Sequence, residues 1–275
     1  MKGASSKYSP GRFISDGARN GAFNMAADLF FAEKARELKY PILRLYSWDK
    51  PTLSVGYHQK LSEDQLQQCL LNDVLVVRRP TGGRAVLHDG EITYCICIPE
   101  NHEIYSIERS KILKDIGTVF VRAAGGIGLP AELVRVGERI QPEHKGTRPQ
   151  SPLCFDSVSR WEVRLNGRKW IGSAQRFLPG VLLQHGSIML ERSELNISDL
   201  LNITTGESPD ESVAFATEVR EFKQDDLVSA LYESFNDQWE IIFQEESISS
   251  EECGLIEDKA AVMQYDDGFT VATDP

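Results

Sequence analysis

The dipeptide Asn166-Gly167 stands between two alternating runs, Trp161 to Leu165 and Arg168 to Ala174. Asn-Gly supplies two consecutive residues that tolerate positive φ, which the two-residue turn between twisted antiparallel strands requires. The flanking runs are therefore predicted to form a hairpin. A second pair of runs, Ile42 to Tyr46 and Thr52 to Tyr57, is separated by the turn residues Asp49-Lys50-Pro51 and reads as another hairpin. Val74 to Arg79 is β-branched and continuous, Ile92 to Ile98 alternates with Cys95 and Cys97 on one face, and Leu182 to Leu190 makes a further strand.

Helical spacing fills the intervals. Residues 21–38 repeat apolar side chains at helical positions after a possible Asn20 cap, with Phe23, Ala26, Ala27, Phe30, Phe31 and Ala35 on the stripe. SEDQLQQCLL opens with Ser62 and has Gln65 three residues later, a capping-box arrangement that predicts a helix burying Cys69. Ser106 to Ile127 is predicted helical, as are residues 223–242, where Leu227, Leu231, Phe235 and Trp239 recur every four residues. Residues 138–153 are polar and contain proline, and read as a long surface loop. The residues from Gln244 onward are acidic and end in an exposed-looking tail. Strands that come mostly as hairpins with helices inserted between them predict an α/β (α+β) fold, a mixed and largely antiparallel central sheet flanked by helices. A doubly wound parallel sheet is disfavoured.

Composition narrows the function classes. With 41% hydrophobic and 26% charged residues in 275, the chain can bury one large core. No run approaches the roughly 18 apolar residues of a membrane span, and the N-terminus lacks the apolar segment of a secretory signal, so a soluble cytoplasmic protein is expected. A net charge of −11 argues against nucleic acid as a partner. Five scattered cysteines without a CxxC pair fit a reduced compartment and no metal site.

Two segments carry chemistry. In RRPTGGRAVLHDG a strand ends in arginines and then in Gly82 and Gly83, whose missing side chains let backbone amides approach an anion or a carbonyl. His88 follows; in isolation it reads as a structural histidine rather than a catalytic one. Cys154 lies in SPLCFDS at the end of the polar loop, outside any apolar period, unlike Cys69, Cys95 and Cys97, which read as small buried hydrophobes. A thiolate can accept and release an acyl group, and a nearby lysine such as Lys169 would favour the thiolate.

RRPTGGRAVLHDGEITY resembles the RRxTGGxxVxHd signature of the lipoate/biotin protein ligase superfamily. NGRKWIGSAQRF followed by LLQHGSIML resembles its second signature, NMAADLFFAEKA its first helix, PTLSVGYHQ its ligand-pocket strand and MQYDDGFT its last segment. The ordered motifs run from about Gly21 to Phe243. The resemblance implies a helix-flanked mixed sheet over residues 1–243 as catalytic domain, with 244–275 as an acidic segment that forms no accessory domain. It also implies an acyl pocket closed by the Gly-Gly loop.

Carried over residue by residue, Arg78, Thr81, Gly82, Gly83, His88, Gly172, Ser173 and His185 are expected to bind substrate, and Lys169 to meet the acyl carbonyl. Cys154-Phe155-Asp156 resembles the cysteine segment of the ligase-like octanoyl-[carrier protein]:protein N-octanoyltransferases of lipoate biosynthesis, whereas ligases need no nucleophilic cysteine. Phe177 to Gly180 departs from the family by lacking basic residues. The implied activity is transfer of an octanoyl group from acyl carrier protein, through a Cys154 thioester, to a lysine of the glycine-cleavage H protein or another lipoyl domain, with no cofactor. The alternatives are an ATP- and magnesium-dependent lipoate ligase, an octanoyl amidotransferase between lipoyl domains, and a catalytically silent acyl-binding protein. A basic rim from Arg135, Arg139, Lys145, Arg148 and Arg160 is expected to dock the acidic carriers.

Overall fold

The alternation of Ile92 to Ile98 organises the molecule. The computed structural model describes residues 9–135, 161–203 and 212–265. Thus the loop at 138–153, Cys154, and the rim residues Arg139, Lys145, Arg148 and Arg160 lie outside the described residues. In chain order the elements are β1 (Ser9–Arg19), α1 (Gly21–Leu38), β2 (Ile42–Trp48), β3 (Thr52–Val55), α2 (Glu63–Leu71), β4 (Leu75–Arg78), β5 (Val86–His88), β6 (Glu91–Pro99), α3 (Arg109–Gly126) and β7 (Ala131–Arg135). There follow β8 (Trp161–Leu165), β9 (Arg168–Lys169), β10 (Ile171–Leu178), β11 (Val181–Met189), α4 (Ile197–Leu200), α5 (Ala216–Val219), α6 (Gln224–Trp239), β12 (Ile241–Glu245) and α7 (Ser250–Ala260).

Six strands form the main sheet in the order β10-β11-β6-β2-β1-β12. The pairs from β10 to β2 are antiparallel, and β2, β1 and β12 run parallel. All nine residues of β6 are buried, because both sheet faces are covered. Tyr94, Ile96 and Ile98 join the cluster that contains α3 and α6, while Cys95 and Cys97 join the cluster under α1. The period of two in the sequence thus sorts one strand between two cores. Asn20 caps α1 by accepting from the Ala22 amide, and Ser62 and Gln65 close the capping box of α2.

Three expectations are corrected. Ile42 to Tyr46 and Thr52 to Tyr57 do not pair as a hairpin. Both edges of β2 are taken by β1 and β6, so β3 leaves for a second, three-stranded sheet between β4 and β5. The run Arg168 to Ala174 is divided: β9 completes the Asn166-Gly167 hairpin with β8, and after Trp170 the chain enters the main sheet as β10. Trp170 is 1% exposed and bonds both sides, its amide to the Val163 carbonyl and its indole to the Met189 carbonyl.

The acidic C-terminal residues are not a free tail through Tyr265. β12 adds an edge to the main sheet and α7 lays Ile256 against α1. The anchor is Arg12, 6% exposed, whose guanidinium holds Glu252 Oε1 and Oε2 at 2.6 and 2.9 Å. That guanidinium depresses the Glu252 pKa. The first strand, β1, had no clear signal, since Gly11, Asp16 and Gly17 interrupt its alternation.

Candidate active site

The second sheet lies over the α1 face of the main sheet and leaves a small cavity of about 30 Å³. Met25, Tyr46, Ser54, Arg79, Val86, His88, Thr93, Gly172, Ser173, Ala174, His185, Gly186 and Ser187 line it. Most of these side chains are polar, and two histidine-centred chains hold them. Asp28, fully buried on the apolar stripe of α1, accepts from the Tyr46 hydroxyl at 3.0 Å and contacts His185 Nδ1 at 2.7 Å. The other ring nitrogen of His185 meets the Thr81 hydroxyl at 2.6 Å. Asp28 Oδ1 receives no hydrogen bond but faces Arg44 Nη1 at 3.5 Å, and Arg44 also donates to Asp16 and Asn24. Burial first, and Asp28 second, push the Tyr46 hydroxyl well above the ordinary phenol range.

The second chain crosses between sheets. His88 Nδ1 contacts Glu91 Oε1 at 2.8 Å and Nε2 meets Ser54 at 2.7 Å, with the ring stacked 4.0 Å over Trp48. Glu91 Oε1 also accepts from Thr93 at 2.5 Å and Ser187 at 2.8 Å. These hydrogen bonds tie the wall together, although Glu91 Oε2, like Asp28 Oδ1, receives none.

The Pro80-Thr81-Gly82-Gly83 loop, called the roof below, adjoins the cavity through Thr81, which meets the lining residue His185, and through the lining residue Arg79. Arg79 braces it from within, donating to the carbonyls of Gly82 and Arg84 and to that of Ser54. Gly82 and Gly83 are exposed, and Gly83 has φ of +101°, a conformation that glycine adopts without steric cost. A Cβ built on Gly56 would sit 1.9 Å from the Gly83 carbonyl oxygen, so the two loops touch through backbone alone. Gly56→Ala is accordingly expected to lift the roof. The loss is about 1–3 kcal/mol of stability, as in an overpacked core, together with weakened acyl binding. A variant with unchanged urea midpoint and unchanged transfer would refute the contact.

Lys169 faces a different cavity, on the opposite side of the main sheet. This space of about 60 Å³ is lined by Leu113, Ile116, Gly117, Phe120, Trp161, Val163, Lys169, Ile171, Ser173 and Gln184. Lys169 Nζ lies 3.9 Å from Glu162 Oε1. Ser173 lines both cavities and its hydroxyl bonds Tyr94 at 2.7 Å, so the two spaces meet at β10.

Of the residues singled out in the sequence, His88, Gly172, Ser173 and His185 line the first cavity. Thr81, Gly82 and Gly83 are not among its lining residues but adjoin it, Thr81 through His185 and Gly82 through Arg79, and Lys169 belongs to the second. Arg78 is not among the lining residues. Its Nη1 donates to the carbonyls of Gly56, Tyr57 and Gln59 on the far side of the strand, and Arg79 takes the place inside. Arg135 packs over Trp161. Asp28, Ser54, Glu91 and Ser187 lie within the motif segments without having been singled out, and Tyr46 lies outside those segments. Asp28 could have been found as a carboxylate placed among Phe23, Ala27, Phe30 and Phe31 of an apolar stripe. Cys69, Cys95 and Cys97 are at most 1% exposed, and burial pushes the Cys69 thiol up to about 11. Among the described residues, no group of three His, Cys, Asp or Glu side chains could hold a metal ion.

Comparison with known proteins places this geometry in a family. The lipoyl protein ligase A/B catalytic domain model matches residues 20–235. The octanoyltransferase LipM of Halalkalibacterium halodurans is 38% identical over 193 residues, 70% of each chain. That of Geobacillus kaustophilus is 32% identical over 266 residues, 90% of this chain and 93% of the relative. Among solved structures, the archaeal bi-partite lipoate protein ligase of Thermoplasma acidophilum superposes with a TM-score of 0.70 at 21% identity, covering 92% of this chain and 93% of that one. With the fold, the ordered motifs and the family model in agreement, the chain belongs to the lipoyl protein ligase A/B catalytic domain family.

Proposed function

We propose that this protein is an octanoyltransferase of lipoate biosynthesis. It takes an octanoyl group from acyl carrier protein onto Cys154 and delivers it to a lysine of a lipoyl carrier, the glycine-cleavage H protein or an E2 lipoyl domain. The names of the relatives at 32% and 38% identity support the reading. The observation that carries it is the junction at β10, where the histidine-lined cavity beside the Gly82-Gly83 loop adjoins the cavity that holds Lys169.

In the first half-reaction the Cys154 thiolate attacks the thioester carbonyl. A new C–S bond forms, the carrier thiolate leaves, and it takes up a proton. Amide donors of the roof and the Lys169 ammonium stabilise the oxyanion, an effect of about 3 kcal/mol per donor in comparable sites. In the second half the acceptor amine attacks the acyl-Cys154 carbonyl, the cysteine thiolate departs, and the amine's proton is lost as the amide forms. A thioester is already activated, so this sequence needs no nucleotide, metal or other cofactor. Among the described residues no helix is long and apolar enough to cross a membrane, and the proposed setting is the cytoplasm, where acyl carrier protein is available.

The test is incubation with octanoyl-acyl carrier protein in the absence of ATP and magnesium, followed by mass spectrometry. An octanoyl adduct that neutral hydroxylamine removes is expected, and it passes to an apo lipoyl domain. Strict dependence on ATP with free lipoate, and no adduct, would instead make the protein a ligase. Transfer only from an octanoylated lipoyl domain would make it an amidotransferase.

A further inference from the structure

The family match ends at residue 235, yet the chain beyond it returns to the pocket. After α7 crosses α1, Gln264 forms a bridge to Val77, and the Tyr265 amide donates to the Val76 carbonyl, so the segment runs beside β4. The Tyr265 hydroxyl accepts from the Leu61 amide at 2.8 Å, and its ring lies 4.9 Å from the Arg78 guanidinium carbon. Arg78 in turn gathers the carbonyls of Gly56, Tyr57 and Gln59 at 2.8 to 3.0 Å. That turn touches the roof twice, through the Gly56 contact with Gly83 and through the Tyr57 amide, which donates to the Thr81 carbonyl at 2.9 Å.

We propose that Tyr265 is a positioning residue for octanoyl transfer, acting through Arg78 and the Gly56 to Gln59 turn to fix the Gly82-Gly83 roof. The inference rests on the transferase reading for its activity readout only. An aromatic face under a guanidinium restricts where the fork can point. With the fork fixed, three carbonyls on one exposed turn are held together, and the glycine loop above them has one position instead of several. A roof donor displaced by about 1 Å lowers catalysis as much as a lost donor does.

Tyr265→Leu keeps an apolar side chain against the cluster that contains Leu61 and Val76, and removes the ring face and the hydroxyl. It is expected to lower kcat/KM for octanoyl-acyl carrier protein by about ten-fold, the scale of a misplaced group. Tyr265→Phe retains the ring and is expected to restore most of that loss. Amide hydrogen exchange should quicken in residues 56–59 and 80–84 and stay unchanged in α3 and α6. In an Arg78→Lys background, Tyr265→Leu should change the rate by less than about two-fold, since both substitutions cut the same link.

Wild-type kcat/KM in Tyr265→Leu would overturn the proposal. So would a Phe variant as impaired as the Leu variant, full additivity with Arg78→Lys, or faster exchange spread over α3 and α6. If the unmodified protein transfers no octanoyl group, the transferase reading fails, while the exchange measurement still decides whether Tyr265 fixes the roof.

Discussion

Cys154→Ser is expected to reduce octanoyl transfer by on the order of 10³-fold or more, the scale on which loss of a covalent nucleophile is felt, while the thermal midpoint stays within a degree or two. The hydroxyl that remains is a weak nucleophile without a dedicated base, so no adduct should form on the variant protein. The stability expectation rests on sequence: SPLCFDS follows a polar, proline-containing stretch and has no apolar period to complete. The other cysteines provide the contrast. Cys69 is 1% exposed and burial pushes its thiol up to about 11, which disfavours the thiolate an acyl carrier needs. Cys95 and Cys97 are packed beneath α1, and burial raises the Cys95 thiol well above the ordinary range. Replacing any of these three with alanine should lower stability and leave turnover per folded molecule unchanged. Full activity in Cys154→Ser would remove the covalent route.

The second large effect is structural. Asp28→Ala is expected to destabilise the protein by about 3–5 kcal/mol, the range for breaking a buried charge pair by deleting one partner. Arg44, 1% exposed, keeps the shorter ion pair to Asp16 at 2.8 Å and its bond to Asn24 but loses the fully buried carboxylate at 3.5 Å. The Tyr46 hydroxyl and His185 Nδ1 lose their acceptor at buried positions. Against a total stability of roughly 5–15 kcal/mol for a typical domain, this is enough to leave a sizeable unfolded fraction. Asp28→Asn preserves the shape and one acceptor oxygen, and should cost about half as much. Urea denaturation of both variants at pH 7 measures the difference. A loss below about 1 kcal/mol in Asp28→Ala would show that Arg44 is compensated without it. Because His185 holds Thr81, the same variant should also loosen the roof, an effect that exchange at residues 80–84 would register.

Periodicity and turn chemistry by themselves determined α1, α2, α3 and α6, the hairpin at Asn166-Gly167 and the assignment of Cys95 and Cys97 to one face of β6. Each of these depends on residues near in sequence, where a buried face repeats every two or 3.6 positions. The glycine loop and the histidines were equally legible, since their chemistry is written in the residue types. Only the tertiary structure decided which strand neighbours which. Ile42 to Tyr46 and Thr52 to Tyr57 carry turn residues between them, but β1 and β6 had already filled both edges of β2. It also decided between Arg78 and Arg79. Adjacent side chains on a strand point to opposite faces, so one of the pair had to enter the cavity. Which one did so was fixed by the register of β4 against β3, not by the arginines. Likewise Asp28 became the anchor of His185, and Tyr265 the support of Arg78, through contacts between residues 157 and 187 positions apart. A local pattern records which face of an element is buried; the partner on that face comes from distant chain segments, and packing alone selects it.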